Sequence, residues 1–138
     1  MEISRTTLMV IDTMVLAYAL LHVENKYEQA LAALESVDQI VVPDSLFAEL
    51  GNVIWQWIQF RELPLQMGLD AMQDAEALVD VMISSSQIRD VALKLAVEAS
   101  HSFYDTLFVA AAIQCDTQVL TYDRKLATKF GDRVILLE

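Results

Sequence analysis

Cysteine is almost missing from this chain: Cys115 is the only one in 138 residues, and the two histidines, His22 and His101, stand far apart. Neither an internal disulfide nor a cysteine- or histidine-rich zinc site can be built from so few. Glycine (three) and proline (two) are equally scarce, which excludes collagen-like and linker-rich disordered chains. Positive charge is short as well. Nine Lys and Arg stand against twenty Asp and Glu, for a formal net charge of −11 and a pI near 4.4. A broad basic surface that coats nucleic acid is therefore excluded, because phosphates would be repelled over most approaches. A small contact with phosphate, bridged by a metal ion, is not.

What the chain has in plenty is apolar surface, at 55% of residues. The length suits one domain, residues 1–138, around a single core. So apolar a small chain is expected to hide further surface by self-association or against a partner. Residues 6–23 carry one charge and imitate a signal sequence or a short span. Asp12 lies in the middle of that stretch, however, and would cost about 2.5–3.5 kcal/mol at a bilayer centre. A strand feeding a helix fits better, and a cytoplasmic protein without membrane contact is the expectation.

In chain order, residues 6–11 read as a strand buried on both faces, ended by Asp12. Helices are expected over 13–21 and 26–36, the latter with Tyr27, Ala30, Leu31 and Leu34 on one face. A second strand over 39–42 is closed by Pro43, with Asp44 or Ser45 placed to cap the next helix. That helix carries Glu49 near its first turn and Leu46, Leu50, Val53, Ile54 and Trp57 on one face. Trp55, Ile58 and Phe60 extend its apolar surface, to be covered by a partner or by a helix over 64–78. Residues 78–83 read as a strand, placed at an edge by Asp80. A helix from Ser84 to Ala99 would bury Ile88, Val91, Ala92, Leu95 and Ala96. A helix over 103–115, a strand over 118–121, a short helix over 124–130 and a strand over 133–137 complete the chain. Alternating strands and helices predict an α/β fold, a central parallel sheet flanked by helices in three layers.

Asp105 is the only ionisable residue in the apolar run from Phe103 to Ile113, and a carboxylate there needs a cation, donors or a proton. One reading is a capping box with Ser102. The other acids suggest a second. Asp12 follows the first strand, Asp123 follows the strand ending at Thr121, and Glu49 opens the helix after the second strand. In a parallel sheet, strand C-termini and the helix N-termini after them share one rim, where ligands bind. Asp105 joins that rim only if its own helix packs with its N-terminus there. Separate capping roles for Asp12 and Asp123, and a dipole role for Glu49, remain the simpler alternatives. Gathered carboxylates repel one another and ionise together only with a cation present. Hard oxygen donors with no His or Cys among them favour Mg²⁺ or Mn²⁺ over zinc, and such a metal would assist attack of water on a phosphodiester. Arg124, Lys125 and Lys129 are placed to contact phosphates, or simply to form a solvated face.

Val10-Ile11-Asp12-Thr13, the isolated Glu49, Phe103-Tyr104-Asp105-Thr106-Leu107 with Val109-Ala110-Ala111-Ala112, and Leu120-Thr121-Tyr122-Asp123 together resemble the PIN-domain pattern, in order and over essentially the whole chain. The resemblance implies a ribonuclease similar to VapC-type toxins, with Asp12, Glu49, Asp105 and Asp123 as its Mg²⁺ or Mn²⁺ site and Thr121 in support. It also implies a homodimer and a cognate antitoxin lying along the active groove. Met14 departs from the pattern: it stands two residues after Asp12, where the family often has a small polar residue. A phosphatase with an aspartyl nucleophile would want an Asp at that position. A receiver domain would want an acidic pair at the end of the first strand. The rival from another class is a PIN fold that has lost catalysis and binds a protein instead.

Overall fold

The computed structural model describes residues 7–138. Five parallel strands, β1 (Leu8–Ile11), β2 (Gln39–Pro43), β3 (Val81–Ile83), β4 (Val119–Thr121) and β5 (Val134–Leu136), form one sheet in the order β3-β2-β1-β4-β5. β1 pairs with β2 through Met9 and Ile40 on one side and with β4 through Val10 and Val119 on the other. Each of Met9, Val10 and Ile11 is buried, as a strand covered by helices on both faces requires.

The chain steps outward from β1 to β2 and β3, then returns across the sheet to β4 and β5 on the opposite side. Right-handed crossovers put the helices of the first half on one face and those of the second half on the other. Accordingly α1 (Thr13–Leu20) packs against α2 (Tyr27–Glu35), α3 (Leu46–Arg61) and α4 (Leu65–Leu78). The other layer holds α5 (Ser85–Ala99), α6 (Phe103–Gln114) and α7 (Arg124–Lys129). A 3₁₀ turn over Gly131–Arg133 leads into β5. α6 crosses behind β2, β1 and β4, and its run Thr106–Ala112 is buried throughout. Ala110, Ala111 and Ala112 let it approach the sheet closely. Among the described residues, no helix is long and apolar enough to cross a membrane.

Several expectations are corrected in detail. The first strand starts at Leu8; Thr6 lies outside the described residues, and the Thr7 carbonyl instead accepts the amides of Asp38 and Gln39. β3 is shorter than residues 78–83 because Leu78 stays in α4, while the Asp80 carboxylate takes the Ile40 amide at 2.8 Å. β3 is nonetheless an edge strand, as expected. Neither Asp44 nor Ser45 caps α3 through its side chain. Asp44 instead accepts from the Ser85 amide at 3.1 Å and from its hydroxyl, tying the end of β2 to the start of α5. On α5, Val91 is exposed and Leu95 half-buried, so the buried stripe is Ile88, Ala92 and Ala96. The helix after Pro64 does form and packs on α3, yet it leaves Trp55 and Phe60 at 51% and 76% exposure.

Candidate active site

The strand order reverses between β1 and β4, and it is beyond the carboxyl ends of these two strands that a parallel sheet opens a crevice. Asp12 ends β1 there. It is the N-cap of α1, with Oδ1 accepting the Thr13 amide at 2.7 Å. Its Oδ2 accepts from the hydroxyl of Thr121, the fully buried last residue of β4. The same hydroxyl oxygen accepts the Asp123 amide at 3.0 Å, so Thr121 links the two strand ends. Asp123 in turn caps α7, with Oδ1 accepting the amides of Lys125 (2.9 Å) and Leu126 (3.1 Å). Both aspartates are therefore helix caps and members of the rim at once; the capping alternative and the site coincide.

Glu49, in the first turn of α3, reaches the same place, its Oε2 accepting from the Thr13 hydroxyl at 3.0 Å. The placement of Asp105, open from the sequence, is settled by α6 packing with its N-terminus at this rim. Ser102 makes no side-chain capping bond, and the capping box does not form. The Asp105 carboxylate instead meets His101 Nε2 at 3.0 Å, and that nitrogen also lies 3.9 Å from Asp123 Oδ2. All four acids line one open cavity of about 460 Å³.

The acids perturb one another. Burial, reinforced by Asp105 and Asp123, raises Asp12 to about 6 despite the hydroxyl of Thr121 and amide of Thr13 that favour its charged form. Glu49 is raised to about 7, again chiefly by burial and then by Asp12 and Asp105, with Thr13 opposing. Among the described residues, no Lys or Arg lines the cavity to offset this charge. A divalent cation would, and the donor set suits a hard one: carboxylate oxygens from four segments, with a single imidazole at the side. His101, Asp105 and Asp123 offer one atom each within 4.8 Å of one another, so the fit extends to that nitrogen.

Arg124 and Lys125 are exposed at the start of α7 and lie outside the cavity lining. Arg124 pairs with Glu138 at 3.5 Å, and Lys129 donates to the Ser100 carbonyl. The sequence spacing allows His101 to pair with Asp105, as it does, but carries no signal for its approach to Asp123. Two further residues of the site were not singled out as site residues. Thr13 is a neighbour of Asp12, and Asn52 lines the cavity one turn beyond Glu49. Met14 lines it too, half-buried and packed against the hydrophobic core.

A family model for the PIN domain matches residues 9–129. The chain belongs to the PIN-domain family. PIN domains are generally nucleases that use divalent metals. Solved structures agree on the fold. PAE2754 from Pyrobaculum aerophilum superposes with a TM-score of 0.72 at 18% identity, over 94% of this chain and 83% of that one. VapBC2 from Rickettsia felis, bound to a DNA fragment from their promoter, gives 0.70 at 14% identity, over 96% and 100%. A toxin–antitoxin complex from Klebsiella pneumoniae gives 0.62 at 20%, over 92% and 95%. No curated protein matches the sequence significantly. In this PIN domain the quoted motifs supply the rim of the sheet, and α6 supplies the fourth acid from the opposite layer.

Proposed function

We propose that this PIN domain is a metal-dependent ribonuclease of the VapC type, the toxin of a toxin–antitoxin pair. The observation that carries the reading is the convergence of Asp12, Glu49, Asp105 and Asp123 in one cavity that, among the described residues, has no lysine or arginine in its lining. Mg²⁺ or Mn²⁺, held by these carboxylates, would supply charge stabilisation at phosphorus and ease loss of a proton from water. In the hydrolysis, the oxygen of water bonds to phosphorus and one P–O ester bond breaks. The departing oxygen takes a proton.

The chain's own part is to hold the acids in place. Thr121 fixes Asp12 Oδ2 and the Asp123 amide, Thr13 fixes Glu49, and His101 fixes Asp105. Lys125 and Arg124, beyond Asp123, are assigned to phosphates that flank the cavity. A homodimer and an antitoxin segment that covers the groove complete the proposal. The toxin–antitoxin complexes among the similar structures and the exposed apolar side chains of α3 support them.

Thermal melting with and without Mn²⁺, read beside RNA cleavage, tests the reading. Mn²⁺ should raise the melting temperature of wild type by mass action and leave Asp105→Asn and Asp12→Asn nearly unmoved, with cleavage lost in both. A metal-independent melt in all three would reject the nuclease and leave a PIN fold that binds a protein without catalysis.

A further inference from the structure

The imidazole at the acid rim is held there by several elements at once. α5 ends at Ser100 in the left-handed region (φ 50°), and the His101 amide that follows bonds the Ala96 carbonyl at 3.0 Å. Lys129 Nζ of α7 holds the Ser100 carbonyl at 3.0 Å, and the His101 ring meets Phe130 edge-on with centroids 6.2 Å apart. Only 7% of the His101 side chain is exposed. These contacts bring Nε2 to the acids that open α6 and cap α7, 3.0 Å from Asp105 Oδ2 and 3.9 Å from Asp123 Oδ2.

We propose that His101 is a metal ligand beside Asp105 and Asp123, and that its nitrogen makes the site prefer a transition-metal dication, Mn²⁺ or Co²⁺, to Mg²⁺. The inference rests on the nuclease reading and names the class of ion that its site takes. Donors at right angles on an ion, each about 2.1 Å from it, stand about 3.0 Å apart, and donors on opposite sides about 4.2 Å. Both Nε2 separations lie within those limits, and one atom from each of the three residues lies within 4.8 Å of the others. A ligating nitrogen needs its lone pair, which puts the ring proton on Nδ1 while the ion is bound. Without the ion the same nitrogen bonds to Asp105. Four carboxylates by themselves offer only oxygen, which suits Mg²⁺ and Mn²⁺ alike. The imidazole separates them, because Mg²⁺ keeps to oxygen and water while transition metals take nitrogen readily. It also adds a donor without adding charge, at a rim where carboxylates already repel one another.

The test pairs calorimetric titration of the tag-free protein with Mn²⁺, Co²⁺ and Mg²⁺ with electron spin echo modulation of the Mn²⁺-loaded form. The wild-type echo should carry the ¹⁴N coupling of a directly bound imidazole, a reading that does not depend on how any variant folds. Wild type should also bind Mn²⁺ at least about tenfold more tightly than Mg²⁺. His101→Gln keeps an N–H that can hold Asp105 but offers no imidazole. It should lose the ¹⁴N coupling and about tenfold or more in affinity for Mn²⁺ and Co²⁺, with Mg²⁺ affinity little changed. A residue that only positions Asp105 would, when replaced, weaken all three ions alike. The other imidazole, His22, stacks on Tyr27 with centroids 4.3 Å apart, and His22→Gln should keep both the coupling and the preference. Mn²⁺ bound to wild type without ¹⁴N coupling, or a preference unchanged in His101→Gln, would overturn the inference and leave the nuclease reading standing. A coupling that vanishes in His101→Gln, with no RNA cleavage by Mn²⁺-loaded wild type, would keep the ligand and remove the nuclease. No binding of any of the three ions would remove both.

Discussion

Asp12 and Glu49 hold protons that the unfolded chain would release. Their values rise from 3.8 to about 6 and from 4.5 to about 7, so between roughly pH 4 and 7 the folded state binds more protons than the unfolded one. Stability contributed by the two is complete below about pH 4 and is lost as pH rises through 6 and then 7. In EDTA, the double variant Asp12→Asn/Glu49→Gln should therefore gain on wild type as pH increases from 5 to 8, reaching about 1–3 kcal/mol at the upper end. On the proposed metal site, Mn²⁺ should invert the order, because metal entry would displace those protons and stabilise wild type more as pH rises. Melting curves across this range decide it. A variant-minus-wild-type difference that stays flat with pH would mean the acids do not strain one another.

At the scale of elements, the rim depends on how closely helices approach. α3 carries Glu49 and packs against α4, which buries the small residues Gly68, Ala71 and Ala75. A Cβ on Gly68 would lie 2.7 Å from Ile54 Cγ2 and 3.1 Å from Ile58 Cδ1, both on α3. Alanine is the better helix former by about 1 kcal/mol, but overpacking costs about 1–3 kcal/mol. Gly68→Ala should therefore lose up to about 2 kcal/mol in urea unfolding. A stabilised variant would show that α4 can move off α3 freely. Reading the segment as a helix needed only its apolar period; seeing that its glycine is a contact required the partner helix. Thr106 is similar. Its position in α6 was legible, while its hydroxyl bond to the Ala92 carbonyl of α5 at 2.9 Å was not.

For the molecule as a whole, a mean hydropathy of +0.38 accompanies a net charge of −11, and several large apolar side chains stay exposed outside the core. Trp55 and Phe60 meet edge-on at 6.0 Å on the outside of α3, with Leu65 and Leu69 of α4 also exposed. A monomeric surface seldom leaves such a patch bare. Sedimentation equilibrium should return twice the 15.5 kDa of one chain, and Trp55→Ser/Phe60→Ser should dissociate that species at least tenfold more readily. A dimer indifferent to the double variant would place its interface elsewhere and leave the patch to the antitoxin.

What the sequence determined by itself was everything that depends on neighbours along the chain. The apolar and β-branched run at 6–11 and the short segment 118–121 read as strands, and their ends place Asp12 and Asp123 on one rim. The apolar period of α6 makes a buried helix, whatever lies beside it. Tertiary structure decided what depends on which layer packs where. α6 crosses the sheet from the second layer with its first turn at the rim, so Asp105 joins acids that lie between 18 and 93 positions away. The same packing brings His101 between two of them. No periodicity carries such information, because contact between distant segments is set by crossover direction and helix approach, and these are properties of the assembled sheet.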